Sequence, residues 1–157
     1  MKRLLLIVLL LSLGFSQKLT EVVETYNNGN IKSITYHKET RTRIEKVKYR
    51  EYYENGQKSV EVTLKNGKRD GLYTEWYENG KKKEELIYKI GKRDGLCTGW
   101  HENGKKWYQG TFKDDEFFGL WNNWYDNGQK LNERTFKDGE LISEQCWDED
   151  GNEIDCN

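Results

Sequence analysis

Few side chains in this chain carry chemical potential, and their spacing limits what they can do. His37 and His101 are the only histidines, and neither has a nearby serine or cysteine nucleophile with a third orienting group. Cys97 and His101 share a strand face four residues apart. That is about 13 Å along a strand, too far for one metal to bridge. Asp148, Glu149 and Asp150 lead into Gly151 and Asn152 much as a calcium loop begins. An EF-hand loop, however, places its glycine sixth, and here the glycine is fourth in the run. The remaining carboxylates are spread evenly along the chain and form no catalytic pair. No catalytic residue, metal-ligand set or cofactor is expected; the chain reads as non-enzymatic, with a hydrolase the most distant alternative.

The chemistry that remains is recognition. Tyr53, Tyr77, His101 and Tyr125 recur at equal intervals, with Trp107 and Trp121 close by. On the outward face of a sheet they would form a row able to stack on sugars or receive a partner's apolar side chains. The competing reading is that they shield the hydrogen bonds of a sheet lacking a second layer. Lys68, Arg69, Lys92 and Arg93 fall in basic turns that would line one long edge and meet an anionic membrane or glycan, with Asp70 and Asp94 diluting the charge. Their alternative role is a solvated edge that discourages sheet-to-sheet pairing.

The elements that must position these residues follow from a repeat. An aromatic pair, an acidic residue and Asn-Gly recur at Tyr52–Gly56, Trp76–Gly80, Trp100–Gly104 and Trp124–Gly128, the second aromatic being His101 in the third copy. These glycines are 24 residues apart; Gly151 follows 23 later and Gly29 lies 27 earlier. Such a period signals an array in which each unit covers its neighbour. Within a unit, Leu72–Tyr77 and Lys82–Tyr88 are strand-length runs joined at Asn79-Gly80, a strong hairpin signal. A left-handed Gly80 pairs Tyr77 with Lys81 and Trp76 with Lys82, and continuing that register sets Glu75 against Lys83. It puts Leu72, Thr74, Trp76, Leu86 and Tyr88 on the drier face, and Tyr73, Glu75, Tyr77, Lys83, Glu85 and Ile87 on the polar one. A second turn is expected over Lys65–Gly71, returning at Lys89–Gly95 and, altered, at Lys113–Gly119. The expected fold is all-β: an elongated single-layer antiparallel sheet of stacked hairpins with a period of about 24 residues.

Four segments result: a signal peptide over 1–16, an irregular N-terminal capping unit over 17–48, four tandem repeats over 49–143 and a truncated capping repeat over 144–157. In the first, Lys2 and Arg3 precede an apolar run from Leu4 to Leu13 that ends at Gly14 and Ser16. That run is too short to span a bilayer, where about 20 residues are needed; an uncleaved anchor or a buried helix are the alternatives. Cleavage near Ser16 predicts an exported protein, in the periplasm, at the cell surface or secreted. In the second, the alternation from Thr40 to Tyr49 reads as a strand. Without Lys2 and Arg3 the chain has 24 Lys and Arg against 27 Asp and Glu, which argues against nucleic acid as a partner. Cys146 and Cys156 flank the Asp150-Gly151 turn and are candidates for a disulfide closing a terminal hairpin, with Cys146 facing Ile154. Cys97 is left without a partner.

Trp-Tyr-Glu-Asn-Gly-Lys-Lys, followed by Asn-Gly-Lys-Arg-Asp-Gly-Leu, resembles the variant MORN repeat of bacterial proteins. The likeness covers about 49–143, with echoes at 26–36 and 144–157. It implies a single-layer sheet of hairpins and an interaction scaffold binding protein or, in some members, membrane lipid; bacterial members of this variant are often labelled antitoxin or immunity-type. The resemblance carries no catalytic residues. The chain departs from the pattern at His101 and at Asp114–Phe118. Two functional readings follow: a protein-binding scaffold using the aromatic row, or an envelope glycan- or lipid-binding module using the basic turns as well. Homodimerisation would cover an exposed apolar face of so thin a sheet.

Overall fold

The computed structural model describes residues 19–156 and the backbone of residues 5–7. The expected signal peptide over 1–16 otherwise lies outside the described residues. Among the described residues thirteen strands form one sheet in sequence order. They are β1 (Leu5–Ile7), β2 (Leu19–Thr25), β3 (Ile31–Glu39), β4 (Ile44–Tyr52), β5 (Lys58–Lys65), β6 (Lys68–Trp76), β7 (Lys82–Lys89), β8 (Lys92–Trp100), β9 (Lys106–Lys113), β10 (Glu116–Trp124), β11 (Lys130–Lys137), β12 (Glu140–Trp147) and β13 (Glu153–Ile154). Every neighbouring pair is antiparallel. Stacked at the usual inter-strand spacing, they extend about 60 Å. There is no helix among the described residues.

Two kinds of turn alternate. At the Asn-Gly turns the backbone closes as the sequence predicts: Gly80 has φ 81°, its N–H donates to the Tyr77 carbonyl, and Tyr77 N–H donates to the Lys81 carbonyl. The second kind is tighter than expected. The Lys65–Gly71 turn contracts to Asn66-Gly67, both with positive φ, and the same two-residue form returns at Ile90-Gly91, Asp114-Asp115 and Asp138-Gly139. This geometry matches the twist of the flanking strands. In the first unit the strand expected from Thr40 begins only at Ile44, because Thr40 Oγ1 accepts the Arg43 N–H and turns residues 40–43 back on themselves.

The register corrects the assignment of faces. Trp76 pairs with Lys82, but Glu75 then pairs with Glu84, leaving Lys83 as an unpaired bulge residue. The same skip occurs at Lys32, Ser59, Trp107 and Leu131. One skipped residue exchanges the faces of one strand relative to its partner. Tyr73, rather than Leu72, therefore stands beside Leu86, and Leu72 is 48% exposed. The packed face runs through Tyr73, Leu86, Cys97, Phe112 and Trp121, with Tyr88, Tyr108 and Phe136 against them. Leu96 and Leu120, the repeat equivalents of Leu72, are likewise exposed on the other face.

Candidate interaction surface

The row of equivalent aromatics proves to be part of the scaffold. The Tyr53 hydroxyl donates to the Trp76 carbonyl and the Tyr77 hydroxyl to the Trp100 carbonyl, each at 2.7 Å. Tyr125 repeats this on Trp147 at 3.0 Å, and Tyr26 begins the series on Tyr52 at 2.6 Å. His101 is the variation: its Nε2 lies 3.0 Å from the Trp124 carbonyl, and since a carbonyl can only accept, Nε2 carries a proton. The turn asparagines run in parallel. Asn55, Asn79, Asn103 and Asn127 each accept their own turn's N–H through Oδ1 and donate Nδ2 to a carbonyl of the next turn. Each unit thus reaches forward to its successor through two side chains. The following lysines add a third link: Lys58, Lys82, Lys106 and Lys130 lie over the rings of Trp76, Trp100, Trp124 and Trp147, 5.2–5.6 Å from their centroids.

The tryptophans expected beside that row separate. Trp107, a bulge residue, is 48% exposed, and its ring touches His101 (centroids 6.1 Å) and Tyr108 (5.2 Å). Trp121 is only 5% exposed, which removes it from the outward row. It belongs instead to a continuous run of rings across the packed face. Tyr108 stacks on Trp121 at 6.2 Å, Phe112 and Phe117 meet Trp121 edge-on at 4.9 and 4.6 Å, and Phe117 stacks on Phe136 at 4.8 Å. The run lies flat because its floor lacks side chains. A Cβ at Gly99 would collide with the Tyr108 ring, and one at Gly110 with the Trp121 indole.

These rings, with Glu84, Leu86, Tyr88, Arg93, Asn123 and Arg134, line a groove of about 560 Å³. Burial, and then the hydrogen bond it donates to the Glu84 carboxylate, pushes the Tyr108 phenol well above the usual tyrosine range. The groove therefore presents a neutral phenol bonded to the Glu84 side chain, with Arg93 and Arg134 also on its lining. Arg134 is held by Glu144 at 2.6 Å, and the Arg93 guanidinium lies 3.9 Å from the Phe112 centroid. The altered segment Asp114–Phe118 builds one wall: Asp115 accepts both the backbone N–H and the Nε of Arg93, and Phe117 covers Trp121 and Phe136. One period earlier Arg93 lies over Phe112, and two periods earlier Arg69 lies over Tyr88, so Phe117 takes the arginine's place in the repeat. Sequence reasoning missed the groove. The visible signal was the pair of glycines, at 99 and 110, in strand positions that carry Glu75 and Leu86 one period earlier.

The basic turns are largely committed internally. Arg69 lies over Tyr73 and Tyr88 and donates to the Tyr88 hydroxyl at 3.0 Å, Lys92 pairs with Asp114 at 3.3 Å, and Arg93 is held as described. Lys68 stays on the edge beside Ile90. Cys146 and Cys156 form a disulfide with Cα atoms 5.4 Å apart, and Cys146 faces Ile154. Glu144 stands close to both sulfurs, but bonded sulfurs are not metal ligands. Cys97 is 1% exposed, and burial pushes its thiol up to about 12.

The sequence pattern of the MORN repeat variant matches residues 47–66, 69–89, 93–114 and 119–138, together more than half of the chain. A search among curated proteins finds no match. The matched segments coincide with β4–β11, the strands that carry both the forward-reaching turns and the aromatic groove. The chain belongs to the MORN repeat variant family.

Proposed function

We propose that this protein is an exported, non-enzymatic scaffold that binds another protein through the aromatic groove of β7–β11, in the manner of an immunity or antitoxin-type partner. The observation that carries the reading is the continuous contact of rings from Trp107 to Phe136 on a sheet with no second layer among the described residues, flanked by Arg93 and Arg134. Large rings with arginine at the margin are the side chains that dominate binding energy at protein interfaces. Repeats of this family are commonly protein- or membrane-interaction modules. The Cys146–Cys156 disulfide supports export, since such bonds persist in oxidising compartments. The glycan- or lipid-binding alternative through the basic turns is weakened by the internal engagement of Arg69, Lys92 and Arg93.

The test is crosslinking in the native host followed by capture with wild type and with a Trp107→Ala, Phe117→Asp double variant. A folded double variant should lose the partner by about tenfold or more. Equal capture by both would overturn the groove as the site. Binding to anionic vesicles that is indifferent to the groove variant would favour the lipid reading.

A further inference from the structure

The C-terminal end of the sheet carries an open edge of unusual character. β12 pairs with β11 along its length, whereas β13 covers only Cys146 and Trp147. From Glu140 to Gln145 the outer side of β12 has no partner strand among the described residues, so alternate N–H and C=O groups face outward. Edges are normally protected by lysine, proline, a bulge or a covering element. This one has only the bulge at Ile142, and Leu141 and Ile142 on it are 49% and 59% exposed. Its charge is one-sided: residues 138–157 contain eight Asp and Glu and no Lys, Arg or His.

We infer that β12 is a strand-addition site for an extended, basic segment of a partner protein, distinct from the aromatic groove. Two rows of the packed face end at this edge and define the pattern. Phe117 and Phe136 lead to Leu141, and Trp121 and Arg134 lead to Glu144. An added antiparallel strand continues those rows with an apolar residue beside Leu141 and a Lys or Arg beside Glu144. The sheet already shows this arrangement: Glu61 on β5 is bonded from the neighbouring strand by both Lys48 and Arg50. Main-chain hydrogen bonds supply the affinity of such an addition, and side-chain alternation supplies its selectivity. The same carboxylates disfavour a second copy as the occupant, since an isologous β12 pair would bring two acidic ends together. The disulfide fixes β13 at the far end of β12 and keeps it from covering the rest of the edge.

The test uses two peptides of about ten residues, one repeating Val-Thr-Lys-Thr (the Lys/Val peptide) and one repeating Val-Thr-Glu-Thr (the Glu/Val peptide), so that Val and the charged residue share a face, added to the protein while amide exchange is followed along β12. The Lys/Val peptide should slow exchange between Glu140 and Gln145 by about tenfold, with binding that weakens as salt is added. The Glu/Val peptide should not. A Glu140→Lys, Ile142→Lys variant alters only exposed side chains and should lose the protection while keeping native tryptophan fluorescence. Equal protection by both peptides, protection confined to β9–β11, or concentration-dependent protection without peptide would each overturn the inference.

Discussion

The indole of Trp121 lies over Gly110 on the adjacent strand, in the space where a side chain at 110 would stand. The repeat puts Leu86 and Arg134 at the equivalent positions, so the third unit has exchanged a side chain for room to lay a ring flat. Gly110→Ala should therefore cost about 1–3 kcal/mol, the usual penalty for overpacking. Gly99→Ala, beneath Tyr108, should behave alike. Denaturant midpoints measure both, and a neutral result at either site would mean that the ring moves freely.

The forward-reaching hydroxyls predict a graded series. Tyr77→Phe removes one hydrogen bond to the Trp100 carbonyl and should cost about 1 kcal/mol. His101→Tyr restores the residue type found in the other units and should be neutral or stabilising, whereas His101→Phe should resemble Tyr77→Phe. Thermal unfolding of the three variants tests the order.

Ile90 holds φ at 52° in a turn where the equivalent residue is Asn66, and its side chain is 64% exposed. A β-branched residue is strained in that conformation. Ile90→Asn should raise stability by about 1 kcal/mol, because the backbone N–H to Asp70 is retained while the left-handed strain is relieved. A stability loss would show that the isoleucine makes a contact worth more than its strain.

Alkali should unfold this protein through its tyrosines. Burial, aided by neighbouring glutamates, pushes Tyr49 and Tyr73 up to about 12, and Tyr108 is raised further. Raised phenol values in the folded state mean that the unfolded chain releases these protons first, near the ordinary value of 10.0. The associated stability is whole below that pH and declines as pH rises through the folded values. Tyrosinate absorbance should lag in the native state and appear together with loss of structure; tyrosines titrating freely near their ordinary value without unfolding would contradict the buried face.

The period, the Asn-Gly corners and the first pair of each hairpin were legible because turn chemistry is local: Gly80 and Asn79 satisfy their own backbone. The faces were not legible. Each first strand offers an apolar residue to both sides, as at Leu72-Tyr73, Leu96-Cys97 and Leu120-Trp121, so alternation alone cannot choose between them. The choice is made by the bulge at Lys83 and its equivalents, whose cause is partly tertiary: the bulged Lys83 still reaches Glu75 at 2.7 Å. Position in the repeat also suggested a common outward role for Tyr53, Tyr77, His101 and Tyr125. Whether a hydroxyl at the end of a ring meets water or a carbonyl of the next unit depends on how closely the units stack, and no single unit contains that information.

Asp148 and Asp150 occupy, in the last turn, the places held upstream by a tyrosine or histidine and by an asparagine. Neither carboxylate can offer a hydrogen to a following unit, and Asp148 is turned inward onto Asn152 and the Asp150 N–H. The forward links made by the upstream tyrosines and asparagines are thereby interrupted at this corner. An extra 24-residue unit inserted between Gly80 and Gly104 would find compatible neighbours on both sides, whereas one appended after Gly151 would meet a corner with nothing to hold it. Lengthening by internal duplication is open to this architecture, and carrying the same links past Gly151 requires Asp148→Tyr and Asp150→Asn first.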